Sequence, residues 1–176
     1  MKFLVKEKTR KRNFSFLYNK EELSFYIRPD IETGWGSISI NFLEFELNEE
    51  GRVLYIHGYE PLMKYKETEH FPRSCENSDL VVILDNEPSP DSFPGNPTYK
   101  LVKCSNWPEA PEWPTYINKQ KGWVCVGDPT TIGRRMVEFA PDCIASLDSD
   151  NEMVAVWLHP KELPSHVFGN SLPSTH

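Results

Sequence analysis

Absences set the first bounds on this 176-residue chain. Nowhere does it hold the roughly 18 consecutive apolar residues that cross a bilayer as a helix. Its opening residues, MKFLVKEKTRKR, carry charge with no apolar run behind it, so no secretory signal is expected. A cytoplasmic protein with no membrane partner is the expectation. Cysteine is sparse. Cys75, Cys104, Cys125 and Cys143 stand far apart with no C-x-x-C pair, which argues against a disulfide framework or a dithiol motif and for reduced thiols.

Catalytic signatures are missing as well. There is no G-x-S-x-G elbow and no P-loop. Gly34-Trp35-Gly36-Ser37 begins like a dinucleotide fingerprint, but Ser39 stands at the third glycine position and no helical pattern follows to meet a pyrophosphate. The glycines flanking Trp35 instead permit a tight approach into the next strand. His57, His70, His159, His166 and His176 include no H-x-x-x-H pair and no zinc-site partnership with cysteine, so neither a metal nor a cofactor is expected. His57 and His159 fall at strand ends, where an imidazole commonly bonds the backbone. Cys125 and Cys143 read as buried structural thiols, since nothing around them lowers a thiol pKa.

Helical pattern is scarce too. Asp128-Pro129 sets an N-cap before a first-turn proline, but Gly133 limits the element to a turn or two. A further turn is expected over residues 161–163, before Pro164.

What the chain does have is strand grammar and acid. Aromatic residues make up 12% of it and hydrophobic residues 39%, enough for an ordinary core of flat side chains suited to pleated surfaces. Short aromatic or β-branched runs, each bounded by turn formers, predict strands over residues 2–5, 13–18, 23–28, 37–42, 43–47 and 52–58. Further strands are predicted over 80–84, 99–103, 122–126, 143–147 and 153–158. The apolar phase inverts between Phe42 and Leu43, which predicts a β-bulge there. The fold expected is therefore α+β but β-rich: one domain, residues 1–168, on a mainly antiparallel twisted sheet with hairpins and one or two short helices. Residues 169–176 are expected to form a flexible tail.

Two turns resemble one another at a spacing of 100 residues: Asn48-Glu49-Glu50-Gly51 and Asp148-Ser149-Asp150-Asn151, each between predicted strands and each ending on a residue suited to positive φ. Generic hairpin chemistry accounts for that likeness without a duplication. Glu44 and Glu46 lie on one strand face, a geometry that can hold an acid/base pair or a cation, although alternate charges also mark an ordinary wet face.

Charge is uneven. Residues 1–20 hold seven Lys/Arg against one Glu, or +6; with −7 overall, the remainder carries −13. The run Lys6-Glu7-Lys8-Thr9-Arg10-Lys11-Arg12 could meet a polyanion, but with no basic groove beside it a charged connection between strands, paired with the acidic body, is the simpler reading. An acidic body repels nucleic acid and attracts basic partners.

Seven prolines between residues 88 and 114 forbid helix and central sheet there, so extended loops are expected around the predicted strand at Tyr99. Within that stretch Trp107-Pro108-Glu109-Ala110-Pro111-Glu112-Trp113-Pro114 sets two tryptophans beside two carboxylates on a stiff backbone. Trp107, Glu109, Glu112 and Trp113 are the candidate partner-binding residues, because preorganised aromatic anchors dominate interface energies. The competing expectation is that both tryptophans pack inward as a lid.

The segments from Gly34-Trp35-Gly36 to Tyr59-Glu60-Pro61 and from Glu138-Phe139-Ala140-Pro141 to Leu158-His159-Pro160 resemble immunity proteins of bacterial contact-dependent growth inhibition and related polymorphic-toxin systems. The likeness lies in size, acidity, hairpins and the want of a catalytic motif; it covers about half the chain and carries no site residue with it. It implies a non-enzymatic protein that binds a cognate, basic toxin, often a nuclease, and blocks its active site or substrate groove. The alternative is an enzyme or small-molecule binder whose site gathers dispersed groups such as His57, His159, Glu44 and a cysteine.

Overall fold

The structure, a computed structural model, describes residues 2–9, 12–29, 34–83, 98–100, 113–131 and 135–168, with the backbone alone at 98–100, 166 and 168. In chain order the strands are β1 (Phe3–Glu7), β2 (Ser15–Asn19), β3 (Ser24–Arg28), β4 (Gly36–Ile40), β5 (Leu43–Leu47), β6 (Val53–Tyr59) and β7 (Lys66–Glu67). They continue as β8 (Glu76–Val82), β9 (Thr98–Lys100), β10 (Thr115–Asn118), β11 (Trp123–Gly127), β12 (Arg135–Ala140), β13 (Cys143–Leu147) and β14 (Met153–Leu158). The β-rich expectation holds. Helical structure among the described residues is confined to two 3₁₀ turns, Pro129–Thr131 and Ser165–Phe168. Asp128 caps the first, its Oδ1 accepting from Thr130 N at 2.9 Å. The second begins after Pro164, where the expected turn lay before it. No helix among the described residues is long and apolar enough to cross a membrane.

Where one sheet was expected there are two, ordered β2-β3-β6-β5-β4-β9 and β7-β10-β11-β14-β13-β12-β8-β1. Their inner faces share one core, drawn from Phe16, Phe25 and Phe45 of the first and Val124, Phe139 and Val156 of the second. Phe45 meets Phe139 at a ring-centroid distance of 5.9 Å. Each fully buried side chain of this size contributes about 1.5–3 kcal/mol over its exposed state. Pairing is antiparallel except where β9 joins β4, β7 joins β10 and β8 joins β12.

The inverted phase at Phe42 and Leu43 is a turn rather than a bulge. Ile40 pairs with Leu43, so Asn41-Phe42 is a two-residue hairpin loop, with Asn41 at φ +52°. A two-residue loop reverses the chain and brings the apolar set back to the same face, which a reading along one continuous strand sees as a phase slip.

The likeness of the two turns extends to whole units. Strands β2 to β6 take the order β2-β3-β6-β5-β4, and β10 to β14 take the order β10-β11-β14-β13-β12. The register shifts after Glu46 in one unit and after Ser146 in the other. Asn48 Oδ1 accepts from Glu50 N and Arg52 N, as Asp148 Oδ1 accepts from Asp150 N and Glu152 N. Gly51 and Asn151 supply the left-handed conformation at φ +72° and +60°. Five strands agreeing in order, register and turn make this an internal structural repeat, which generic hairpin chemistry does not produce.

The basic N-terminal run is tied to the body. Asp79 on β8 has 1% of its surface exposed. Its carboxylate accepts from Thr9 N at 3.2 Å and Thr9 Oγ1 at 3.0 Å, and it pairs with Arg52 at 3.2 Å and Arg12 at 3.5 Å. Arg12 also donates to Phe139 O, and Lys8 to Asn77 Oδ1. These cations are spent on one buried acid and on carbonyls, as the pairing expectation required.

Candidate partner-docking site

Five large hydrophobic side chains are exposed among the described residues, and three of them, Phe42, Tyr59 and Met63, line one groove of about 440 Å³. Such clustering, unlike scattered exposure, marks an interaction surface. The hairpin loop lifts Phe42 off the end of the six-stranded sheet, and β6 ends beside it in Tyr59, the two rings meeting edge to face at 6.1 Å. Met63, 72% exposed, closes one side.

Trp113 forms the opposite wall. Its backbone is clamped twice by the Asn41 side chain, which accepts from Trp113 N at 2.9 Å and donates to Trp113 O at 3.0 Å. The next residue, Pro114, accepts from Gly127 N at 3.0 Å. Trp113 is half-buried, packing against the shared core while lining this groove and a second of about 390 Å³ with Tyr116, Asp128 and Met153. It is therefore partly a lid and partly a wall, between the two expectations. Of the candidate partner-binding residues, Trp107, Glu109 and Glu112 lie outside the described residues. Phe42, Tyr59 and Met63 escaped sequence reasoning because each looks like any strand-end or loop hydrophobe; Phe42 placed next to a loop asparagine was the one available signal.

The repeat supplies an internal control. Tyr59 N donates to Phe42 O, and at the corresponding place His159 N donates to Asp142 O. The second unit fills the aromatic pair's positions with polar side chains, Asp142 and His159 at 3.5 Å, and stacks His159 on Trp123 at 4.6 Å. The fold thus accepts polar groups at this corner, and the exposed rings of the first unit are not a requirement of folding.

Beneath the groove Glu60 is buried and accepts from Thr115 Oγ1 at 2.9 Å. Its backbone carbonyl accepts from Tyr18 Oη at 2.9 Å. Burial first, then the neighbouring Glu60, pushes the Tyr18 phenol up to about 12. A folded value above the ordinary phenol value of about 10 means the stability from a neutral Tyr18 is whole below pH ~10 and is lost as pH rises through about 12. Alkaline titration of phenolate absorbance should show one tyrosine ionising near 12, absent from Tyr18→Phe; a titration identical in both proteins contradicts the assignment.

The dispersed-site alternative is only partly assembled. His57 and Glu44 do come together on the outer face of the six-stranded sheet, with Glu46 beside them. His159 belongs to the other sheet, where its Nε2 lies 3.0 Å from Lys121 O, the backbone contact expected of it. His57 Nε2 lies 3.0 Å from Glu46 Oε1, because β6 sets it against β5. Cys125 and Cys143 are fully buried, and burial drives both thiols above their ordinary range. Cys75 is exposed, its thiol also raised by desolvation. Cys104 lies outside the described residues.

No protein-family model matches the chain, and no curated protein does.

Proposed function

We propose that this chain is an immunity protein that binds a cognate bacterial toxin domain, of basic surface and nuclease type, and neutralises it by covering its active site or substrate groove. One observation carries the reading: Phe42, Tyr59 and Met63 stand exposed around a clamped Trp113, at a corner where the sister repeat is polar. Exposed aromatic anchors on a rigid, prepaid framework supply affinity, and a net charge of −7 supplies attraction to a basic partner. The acidic segment that holds Trp107, Glu109 and Glu112 precedes Trp113 in the sequence and lies outside the described residues.

The test is genetic and simple. The toxin-like reading frame beside this gene should arrest growth when expressed alone and be harmless with this chain. A Phe42→Asp/Trp113→Asp double variant that keeps its circular dichroism should lose protection. Full protection by that folded variant, or turnover of a substrate by the purified chain, defeats the proposal.

A further inference from the structure

The outer face of the six-stranded sheet carries a donor group that the docking surface does not use. Glu44 and Glu46 share one face of β5, and β6 sets His57 opposite Glu44. One ligand atom from each of Glu44, Glu46 and His57 lies within 4.8 Å of the other two. The Glu46 side chain is only 13% exposed and that of His57 37%, while Glu44 is the most exposed of the three. Gly34 leaves room for this arrangement: a Cβ there would stand 2.2 Å from Glu46 Oε2.

An ordinary wet strand face accounts for an exposed Glu44. It does not account for a mostly buried Glu46 beside a second carboxylate, since adjacent like charges repel and burial sharpens the repulsion. Among the described residues no lysine or arginine pairs with either acid, and Glu46 Oε1 has His57 Nε2 at 3.0 Å. Nor does the fold demand these residues. The corresponding positions of the second repeat are Ile144, Ser146 and Trp157, where Trp157 Nε1 donates to Ser146 Oγ at 3.2 Å within an apolar cluster.

We propose that Glu44, Glu46 and His57 bind a transition-metal dication, with zinc as the best match. This goes beyond the toxin-binding reading and does not depend on it. One imidazole and two carboxylates form a donor set that zinc accepts, leaving a fourth position open to water or to a partner's side chain. Ligands about 2.1 Å from zinc stand about 3.4 Å apart in a tetrahedron. Glu46 and His57, 3.0 Å apart, stand close to that spacing, and the Glu44 ligand atom lies within 4.8 Å of both. The imidazole decides the selectivity, because magnesium and calcium prefer shells of oxygen alone. His57 lies two residues along β6 from Tyr59, so the open position neighbours the docking rim.

Calorimetric titration of the full chain with zinc chloride tests this, with magnesium and calcium chloride as parallel titrants. Wild type should bind one zinc, and His57→Gln and Glu46→Gln should each lose at least about tenfold in affinity, since even residues behind a metal's ligands cost that much. His159→Gln should bind as wild type does, and millimolar calcium should not compete. Should His57→Gln or Glu46→Gln fail to fold by circular dichroism, Glu44→Gln, altered at an exposed group, is expected to show the same loss. Absent stoichiometric binding, equal affinity in the folded His57, Glu46 or Glu44 variants, or displacement by calcium overturns the site.

Discussion

Asp79→Ala is expected to cost about 3–5 kcal/mol of folding free energy. Removing the acid leaves Arg12 without its carboxylate partner, Arg52 with Glu50 alone and the Thr9 amide without its acceptor, all at a carboxylate 2% exposed. Breaking one side of a buried ion pair strands the remaining charge in a medium that solvates it poorly, which is where this magnitude comes from. Urea unfolding followed by circular dichroism gives the measurement, with an unchanged slope confirming a pure stability effect. Replacing Asp79, Arg12 and Arg52 together by apolar residues should recover much of the loss, since a buried ionic group is often no more stabilising than well-packed hydrocarbon. A loss under about 1 kcal/mol for Asp79→Ala would place the cluster with ordinary surface pairs.

Phe42→Ala and Trp113→Ala are each expected to weaken the complex with the proposed toxin partner by at least about thirtyfold, the equivalent of about 2 kcal/mol for a central anchor. Most of the change should fall on dissociation, as it does when packed contacts are lost. Trp107→Ala should behave likewise. Glu109→Ala and Glu112→Ala should instead slow association and reduce its salt dependence, because distant charge steers encounter more than it holds the complex. Asp142→Ala and His159→Ala, at the matching corner of the second repeat, serve as controls and should bind as wild type does. Surface plasmon resonance resolves the two rates. Unchanged kinetics in both Phe42→Ala and Trp113→Ala would move the interface to another face.

The hairpins were readable because each rests on a local rule. Asn48 to Gly51 and Asp148 to Asn151 need only a short polar side chain followed by a residue that tolerates positive φ, and the flanking strands alternate in phase with the core. The 3₁₀ turn at Pro129 was readable in the same way, from its aspartate cap. Strand β12 was not, because Met136, Val137, Phe139 and Ala140 are buried on both sides of the strand, which leaves no clean alternation to detect. Strand β10 hid behind prolines that end at Pro114, one residue before it begins. The Glu46 partner of His57 was not readable, because it comes from the facing strand and is set by register.

Taken alone, the sequence determined the β-rich character, the turns, the acidity and the want of any familiar catalytic motif, since all of these depend on composition and on residues within a few positions of each other. Tertiary structure alone decided that ten of the strands form a repeated five-strand unit, that Arg12 and Arg52 converge on Asp79, and that Phe42, Tyr59, Met63 and Trp113 share a groove. Each of these depends on pairing between segments tens of residues apart, where the choice of partner is made by the burial of whole faces and leaves no mark on neighbouring residues.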